Sequence, residues 1–191
     1  MNLQSRVLSF ADIISATQCS GIDGRSIDLE FGMQSCFSEL QALLNNKAML
    51  YIVGNGGSAA VASHAQIDFL NVVKLRASVL HEPSVMTCMA NDYGYENAYA
   101  RLLDTMLNPC DYVIAISSSG QSRNICHAVE VAKKKQAKIM TLSGFKADNP
   151  LRQLGHVNFW LDSSDYGFVE VGHQFILHNL SDRFGVMSKS Y

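Results

Sequence analysis

The apolar positions of this chain change their spacing after its first quarter. Residues 3–17 and 26–46 place apolar side chains three and four positions apart, which is the spacing of one face of a helix. Gly21 and Gly24 separate these two patterns. The chain is therefore predicted to open with a helical hairpin over residues 1–46.

From residue 47 onward, short apolar runs alternate with segments of helical periodicity. Such alternation is typical of a parallel sheet that helices cover on both faces, with right-handed crossovers. The predicted fold class is α/β, a three-layer sandwich with a five-stranded parallel sheet in the flavodoxin-like order 2-1-3-4-5 over residues 47–191. Residues 1–191 are expected to form one domain, with the hairpin as an extension. The predicted strands are Met49–Val53, Ser84–Ala90, Tyr112–Ser117, Lys138–Ser143 and Val157–Leu161.

Composition and charge narrow the class of ligand. The 191 residues carry a formal net charge of -2, so no basic field is available to hold a nucleic-acid backbone. The five cysteines are scattered and form no C-x-x-C pair, which is typical of a reducing, cytoplasmic location. No apolar run approaches the length of a membrane span, and no signal peptide is expected. Neither nucleic acid nor a membrane is therefore expected as a partner.

The segment GNGGS, residues 54–58, follows the first predicted strand where a helix is expected to begin. Its glycines let the backbone turn tightly and approach a ligand, and Ser58 adds a hydroxyl donor. The start of a helix attracts anions, although the segment could equally be a flexible turn before a helix N-cap. Its spacing matches neither G-x-G-x-x-G nor the P-loop, so no nucleotide cofactor is expected.

The segment SSSGQS, residues 117–122, follows the third predicted strand in the same way. Its four hydroxyl groups are uncharged donors, although serine also favours caps and turns for local reasons. In a sheet of order 2-1-3-4-5, the first and third strands are neighbours at the switch point, so the loops after them face one crevice. Together the two loops predict a binding site for a phosphate monoester.

A histidine and an aspartate on one predicted helix are candidate metal ligands. His64 and Asp68 are four residues apart on the helix after the first loop, so they share one face. The last predicted helix, from about residue 168 to 184, carries Glu170 and His178. Imidazole and carboxylate groups can hold a divalent metal. The alternative for the first pair is a packed histidine beside a solvated aspartate. Eight helical residues span about 12 Å, so Glu170 and His178 could share an ion only if it lay between them, unless neighbouring subunits contribute.

Five segments together resemble the sugar isomerase (SIS) domain family, whose members bind phosphosugars, and within it the phosphoheptose isomerase subgroup. They are GNGGSAAVASHAQID (54–68), MANDYGYE (89–96), ISSSGQS (116–122), TLSGF (141–145) and YGFVEVGHQFILHNL (166–180). The resemblance covers nearly the whole chain. It implies conversion of sedoheptulose 7-phosphate to D-glycero-D-manno-heptose 7-phosphate through an enediol, in heptose, lipopolysaccharide or surface-glycan biosynthesis. It also implies a homo-oligomer, expected to be a tetramer with active sites between subunits.

The resemblance implies roles for individual residues. The implied substrate-binding residues are Asn55, Gly56, Gly57, Ser58, Asn91, Asp92, Ser117, Ser118, Ser119, Gln121 and Ser122. The implied ligands of a zinc ion are His64, Asp68, Glu170 and His178. Our hypothesis for catalysis makes Asp68 the base, with Glu170 as its substitute, and gives His178 the complementary proton transfer. Zinc would polarise the carbonyl group and stabilise the enediolate.

Several positions depart from the pattern of the subgroup. Asp68 replaces a glutamate, Glu170 replaces a glutamine, and Val72 replaces a basic residue. Gly167 occupies a position where an acidic residue is expected, and Asp165 lies two positions earlier. Aspartate reaches about 1 Å less than glutamate, and such a displacement can cost about 100-fold in rate. Two other functions therefore stay open. They are isomerisation of a different phosphosugar, and a non-catalytic SIS protein that binds a phosphosugar or a partner for regulation.

Overall fold

A seven-stranded mixed sheet lies at the centre of the fold, in a computed structural model that describes residues 2–188. Its strands are β1 (Gln18–Gly21), β2 (Ser26–Ile27), β3 (Leu50–Val53), β4 (Ala77–Val79), β5 (Tyr112–Ser117), β6 (Lys138–Ser143) and β7 (Val157–Trp160). They lie in the order β2-β1-β7-β6-β5-β3-β4. β3 to β7 are parallel to one another, whereas β1 pairs antiparallel with both β7 and β2.

Helices cover both faces of this sheet, so the predicted α/β class is confirmed. They are α1 (Leu3–Ser15), α2 (Leu29–Asn45), α3 (Gly57–Asp68), α4 (Pro83–Tyr93), α5 (Ala98–Met106), α6 (Arg123–Lys134) and α7 (Tyr166–Ser188). One apolar core lies under α2, α3 and α7, and a second lies under α5 and α6. Ile52 of β3 points into the first core and Val53 into the second. Because central strands are buried on both faces, they read as continuous apolar runs. Within residues 2–188, no helix is both long and apolar enough to cross a membrane.

The predicted five-stranded, all-parallel sheet is wrong, because the sheet has seven strands and is mixed. The five parallel strands lie in the order β4-β3-β5-β6-β7. The two additional strands form a hairpin between α1 and α2, where the sequence predicted only a break between helices. Gly24 turns this hairpin with a φ of 75°. β1 and β2 contain four and two residues, which is too short for an alternating pattern to predict them.

The predicted strand Ser84–Ala90 is also wrong, because these residues belong to α4. The Glu82 carboxylate accepts a hydrogen bond from the Val85 backbone N–H at 2.9 Å, and Pro83 begins the helix. The strand beside β3 is instead β4. α4 has no buried residue, so its apolar run does not reflect burial within this chain. The other four predicted strands are confirmed, and their ends differ by at most one residue.

A buried histidine connects α7 to the sheet. His173 Nε2 lies 3.2 Å from the backbone oxygen of Ser143 at the end of β6, and it can donate a hydrogen bond to that carbonyl. Its Nδ1 is buried without a hydrogen-bond partner. Burial lowers the pKa of His173 to about 4, so the folded protein holds this imidazole in its neutral form.

We expect His173 to make the fold sensitive to acid. Its folded pKa of about 4 lies below the ordinary value of 6.5, so the unfolded chain binds this proton first as the pH falls. As the pH falls from 6.5 to about 4, this residue should lower the free energy of unfolding by on the order of 3 kcal/mol. His173→Gln keeps a donor for the Ser143 carbonyl and should remove this pH dependence, as urea unfolding across the window would measure. His127→Gln, at a half-buried histidine on α6, is the control. An acid-induced loss as steep in His173→Gln as in the wild type would contradict this role.

Candidate anion and metal site

The first predicted loop connects β3 to α3, and its shape depends on glycine. A Cβ at Gly54 would lie 2.6 Å from the Ser58 backbone oxygen, so a larger residue would push the loop away from α3. Gly56 has a φ of 53° and a ψ of −122°, a conformation that suits glycine. The Tyr99 hydroxyl donates to the Gly54 carbonyl at 2.6 Å, and burial raises the pKa of Tyr99, so it stays a donor. The loop is thereby held where the positive end of α3 begins.

The second predicted loop, residues 117–122, connects β5 to α6. Gly120 turns it with a φ of 65° and donates its N–H to the Ser117 carbonyl at 3.0 Å. Ser122 precedes the first residue of α6, but its hydroxyl does not cap the helix and instead lies 3.2 Å from Ser117 Oγ. The Ser118 hydroxyl is buried without a hydrogen-bond partner. Because Ser118 also lines the cavity, this hydroxyl is available to donate to a group bound there.

The two loops line one cavity of about 240 Å³. They lie side by side because β3 and β5 are neighbours, with Val53 opposite Ala115. Eight of the predicted substrate-binding residues line the cavity, together with Tyr166 and Glu170. These eight are Asn55, Gly56, Gly57, Ser58, Ser117, Ser118, Ser119 and Ser122. Amide and hydroxyl donors at the starts of two helices form a suitable cradle for a phosphate monoester.

Three predicted substrate-binding residues lie outside this cavity. Asn91 and Asp92 are exposed on α4, where Asn91 Nδ2 donates to Asp92 Oδ1 at 2.9 Å. Gln121 is exposed in the second loop. A role for these three residues in holding the sugar therefore stays a prediction.

A pair of asparagines, which the sequence did not indicate, connects the two loops. Asn55 Nδ2 donates to Asn124 Oδ1 at 2.9 Å, and Asn124 Nδ2 donates back to Asn55 Oδ1 at 2.8 Å. The Tyr95 hydroxyl donates to the same Asn55 oxygen at 2.8 Å. Asn55 belongs to the first loop and Asn124 to the first turn of α6, so the pair fixes the two sides of the cavity relative to each other. It also engages the Asn55 amide, which was predicted to lie along the sugar.

Three of the four predicted metal ligands converge. The ligand atoms of His64, Asp68 and His178 all lie within 4.8 Å of one another. Asp68 Oδ2 is 3.2 Å from His178 Nδ1 and 3.6 Å from His64 Nε2. That oxygen is shielded from solvent and accepts no hydrogen bond. A solvent-shielded carboxylate oxygen that accepts no hydrogen bond and is flanked by two imidazoles fits a divalent metal such as zinc. Three protein ligands would leave a fourth position for substrate.

Glu170, the fourth predicted ligand, is not in this cluster. Its carboxylate lies against the first loop, where a Cβ at Gly57 would collide with it, and it lines the cavity. Glu170 and His178 share α7, but the rise of about 12 Å between them separates their side chains. The structure therefore places one carboxylate in the anion cradle and the other, that of Asp68, in the candidate metal cluster.

Within residues 2–188, the cavity wall contains no basic side chain. Val72 is exposed where a basic residue was expected, and the nearby Arg76 donates to the Lys47 carbonyl at 2.8 Å. Asp165 is not part of the cavity but caps α7 by accepting from the Phe168 N–H at 3.2 Å. Among the residues that the structure describes, no lysine or arginine lines the cavity. Its attraction for an anion therefore depends on neutral donors and helix ends.

Comparisons with known proteins show which proteins this chain is similar to in sequence and in fold. Residues 32–144 match the SIS domain family. The phosphoheptose isomerase of Helicobacter pylori (strain P12) is 33% identical over 145 residues, which cover 73% of this chain and 75% of that protein. The structure of a phosphoheptose isomerase from Francisella tularensis matches 97% of this chain and 99% of that chain with a TM-score of 0.81 at 21% identity. The enzyme of that name from Neisseria gonorrhoeae matches 96% of this chain and 98% of that chain with a TM-score of 0.75 at 25% identity.

Replacing Asn124 should destabilise the protein through the first loop. Asn124→Ala removes both amide bonds to Asn55, so we expect the free energy of unfolding to fall by about 1–3 kcal/mol. Asn91→Ala, at an exposed asparagine, is the control and should cost less than about 0.5 kcal/mol. Equilibrium urea unfolding measures both values. Equal losses in the two variants would show that the pair does not hold the loops.

Proposed function

We infer that this chain, which belongs to the SIS domain family and within it to the phosphoheptose isomerases, interconverts sedoheptulose 7-phosphate and D-glycero-D-manno-heptose 7-phosphate. One observation carries the proposal: α3 begins at the anion cradle and also carries His64 and Asp68. From Ser58 to His64 the helix rises about 9 Å, which is comparable with the length of a seven-carbon ester. A phosphate held at one end would therefore place C1 and C2 near the cluster.

The proposed chemistry needs a base, an acid and stabilisation of a developing oxyanion, because the proton moves between C1 and C2 through an enediol. We assign the carbon-bound proton to Asp68. His178, whose Nδ1 lies 3.2 Å from Asp68 Oδ2, is assigned the exchange of the proton on the substrate oxygen. Glu170 is the second candidate for the base, since its carboxylate lines the cavity.

The same cluster supports a metal-assisted reaction. His64, Asp68 and His178 would hold a zinc ion, while Asp68 Oδ1 would remain for the proton. When bound, zinc would supply polarisation of the carbonyl and stabilisation of the enediolate charge. Glu170 could join these ligands only if its side chain left Gly57, against which it now rests.

We propose further that the chain forms a homo-oligomer, with a tetramer as the expected state. Neither α1 nor α4 has a buried residue, and Leu3 and Leu8 of α1 are 80% and 63% exposed. Exposed apolar helix faces of this kind are typical of protein–protein contacts. An active site between subunits would also explain why Asn91 and Asp92 lie outside the cavity of their own chain.

We place the protein in the cytoplasm, in the biosynthesis of heptose for lipopolysaccharide or another surface glycan. All five cysteines are free, including the exposed Cys88 and Cys110, which suits a reducing compartment. The pathway follows from the proposed product, a phosphorylated aldoheptose.

Incubation with sedoheptulose 7-phosphate tests the proposed reaction directly. We expect NMR to show formation of the aldoheptose 7-phosphate, because the proposed mechanism needs only the two loops and the His64–Asp68–His178 cluster. A chelator should slow the reaction by at least about 100-fold, and added zinc should restore it. If the ketose is stable in the presence of zinc-loaded protein, the proposed function is wrong.

Substitution of His178 tests the assigned proton transfer. His178→Ala removes one side of the cluster but none of the cavity lining, so isomerisation should fall by at least about 100-fold while phosphosugar binding stays within about threefold. His127→Ala serves as a histidine control away from the cluster, and its activity should match the wild type. Steady-state kinetics and calorimetric binding separate the two effects. Full activity in His178→Ala would refute the assignment.

A further inference from the structure

Glu170 places a negative charge inside a cavity that is otherwise built to hold an anion. We propose that its carboxylate occupies the cradle of the free protein and opposes the binding of a phosphate dianion. The proposal rests on the proposed function of this site and adds a residue that determines its affinity and selectivity. A ligand must either displace this carboxylate or tolerate its charge.

The position of the side chain supports this role. Glu170 lies in the first turns of α7 and reaches across to Gly57, the first residue of α3. The contact is close enough that a Cβ on Gly57 could not be accommodated, so the carboxylate rests on the backbone that begins α3. The positive end of a helix favours a negative group at this position. A phosphate group bound by the two loops would occupy the same end of the same helix.

Within residues 2–188, no basic side chain pairs with this charge. Some other carboxylates have a basic partner: Glu30 pairs with Arg183 at 2.6 Å and Asp165 with Arg6 at 3.1 Å. For Glu170, the described part of the chain provides neither an ion pair nor a hydrogen bond. The lining serines are neutral donors and can serve either the carboxylate or a phosphate. Because neutral donors do not cancel the charge of the carboxylate, Glu170 and a bound phosphate repel each other.

Glu170 should therefore weaken the binding of a phosphate dianion more than the binding of a neutral sugar. A carboxylate within a few ångströms of a dianion raises its free energy, whereas a neutral sugar suffers no such cost. The cavity should thus bind a phosphate dianion more weakly than its donors alone would allow. The penalty should shrink at high ionic strength, because salt screens the repulsion.

Glu170→Gln tests the proposal, since the amide keeps the size of the side chain and removes its charge. Calorimetry with inorganic phosphate on chelator-treated protein avoids any neutralisation of Glu170 by a metal. We expect phosphate to bind the variant more tightly than the wild type by on the order of tenfold, and the difference to narrow as sodium chloride is added. Asp182→Asn, at an exposed carboxylate of the same helix, is the control and should leave the affinity unchanged.

Equal affinity of the wild type and Glu170→Gln for phosphate would overturn the proposal, and so would weaker binding by the variant. Glu170→Ala provides a second uncharged side chain if the glutamine variant does not fold, and the same increase is expected from it. Absence of phosphate binding in all of these proteins would also overturn the proposal. The isomerase assignment is judged separately, by conversion of sedoheptulose 7-phosphate in the wild type.

Discussion

The pairing of β3 with β5 is the constraint on which the candidate site depends. It places two strand-to-helix junctions side by side, with Val53 opposite Ala115 at the ends of the strands. Each junction alone is an ordinary turn before a helix. Once adjacent, they combine backbone amides, five serine hydroxyls and two helix starts around one cavity. The Asn55–Asn124 amide pair then holds the two sides together. The positions of the polar groups in the site therefore depend on the apolar sheet beneath them.

Apolar packing also sets the distance between the anion cradle and the His64–Asp68–His178 cluster. α3 carries residues of both sites, and its inward face is lined by small buried residues, Ala62 and Ala65, which lie in one core with Leu177 of α7. Small residues allow two helices to approach closely, so side chains from α3 and α7 can meet. The rings of His64 and His178 are 4.8 Å apart as a result. The rise of α3, rather than any flexible segment, therefore separates the anion cradle from the His64–Asp68–His178 cluster.

The sequence predicts those parts of the fold and site that depend on local pattern. Buried strands such as β5 and β6 are continuous apolar runs, and the serine-rich loops follow them directly. α4 was mistaken for a strand because its apolar residues do not face a core in this chain, so burial could not be inferred from the pattern. The partnership of Asn55 with Asn124 could not be predicted, since 69 residues separate them and only the tertiary fold pairs them. The resemblance implies Glu170 as a metal ligand, but whether its side chain points toward His178 or Gly57 depends on packing between helices.

The central claim is that the two loops hold a single phosphate. Residue-resolved amide NMR during a titration with phosphate tests it most directly, because Ser58 reports on the first loop and Ser119 on the second. The account predicts that both amide signals shift along one binding curve with one dissociation constant. Shifts confined to one loop, or two independent curves, would contradict the account.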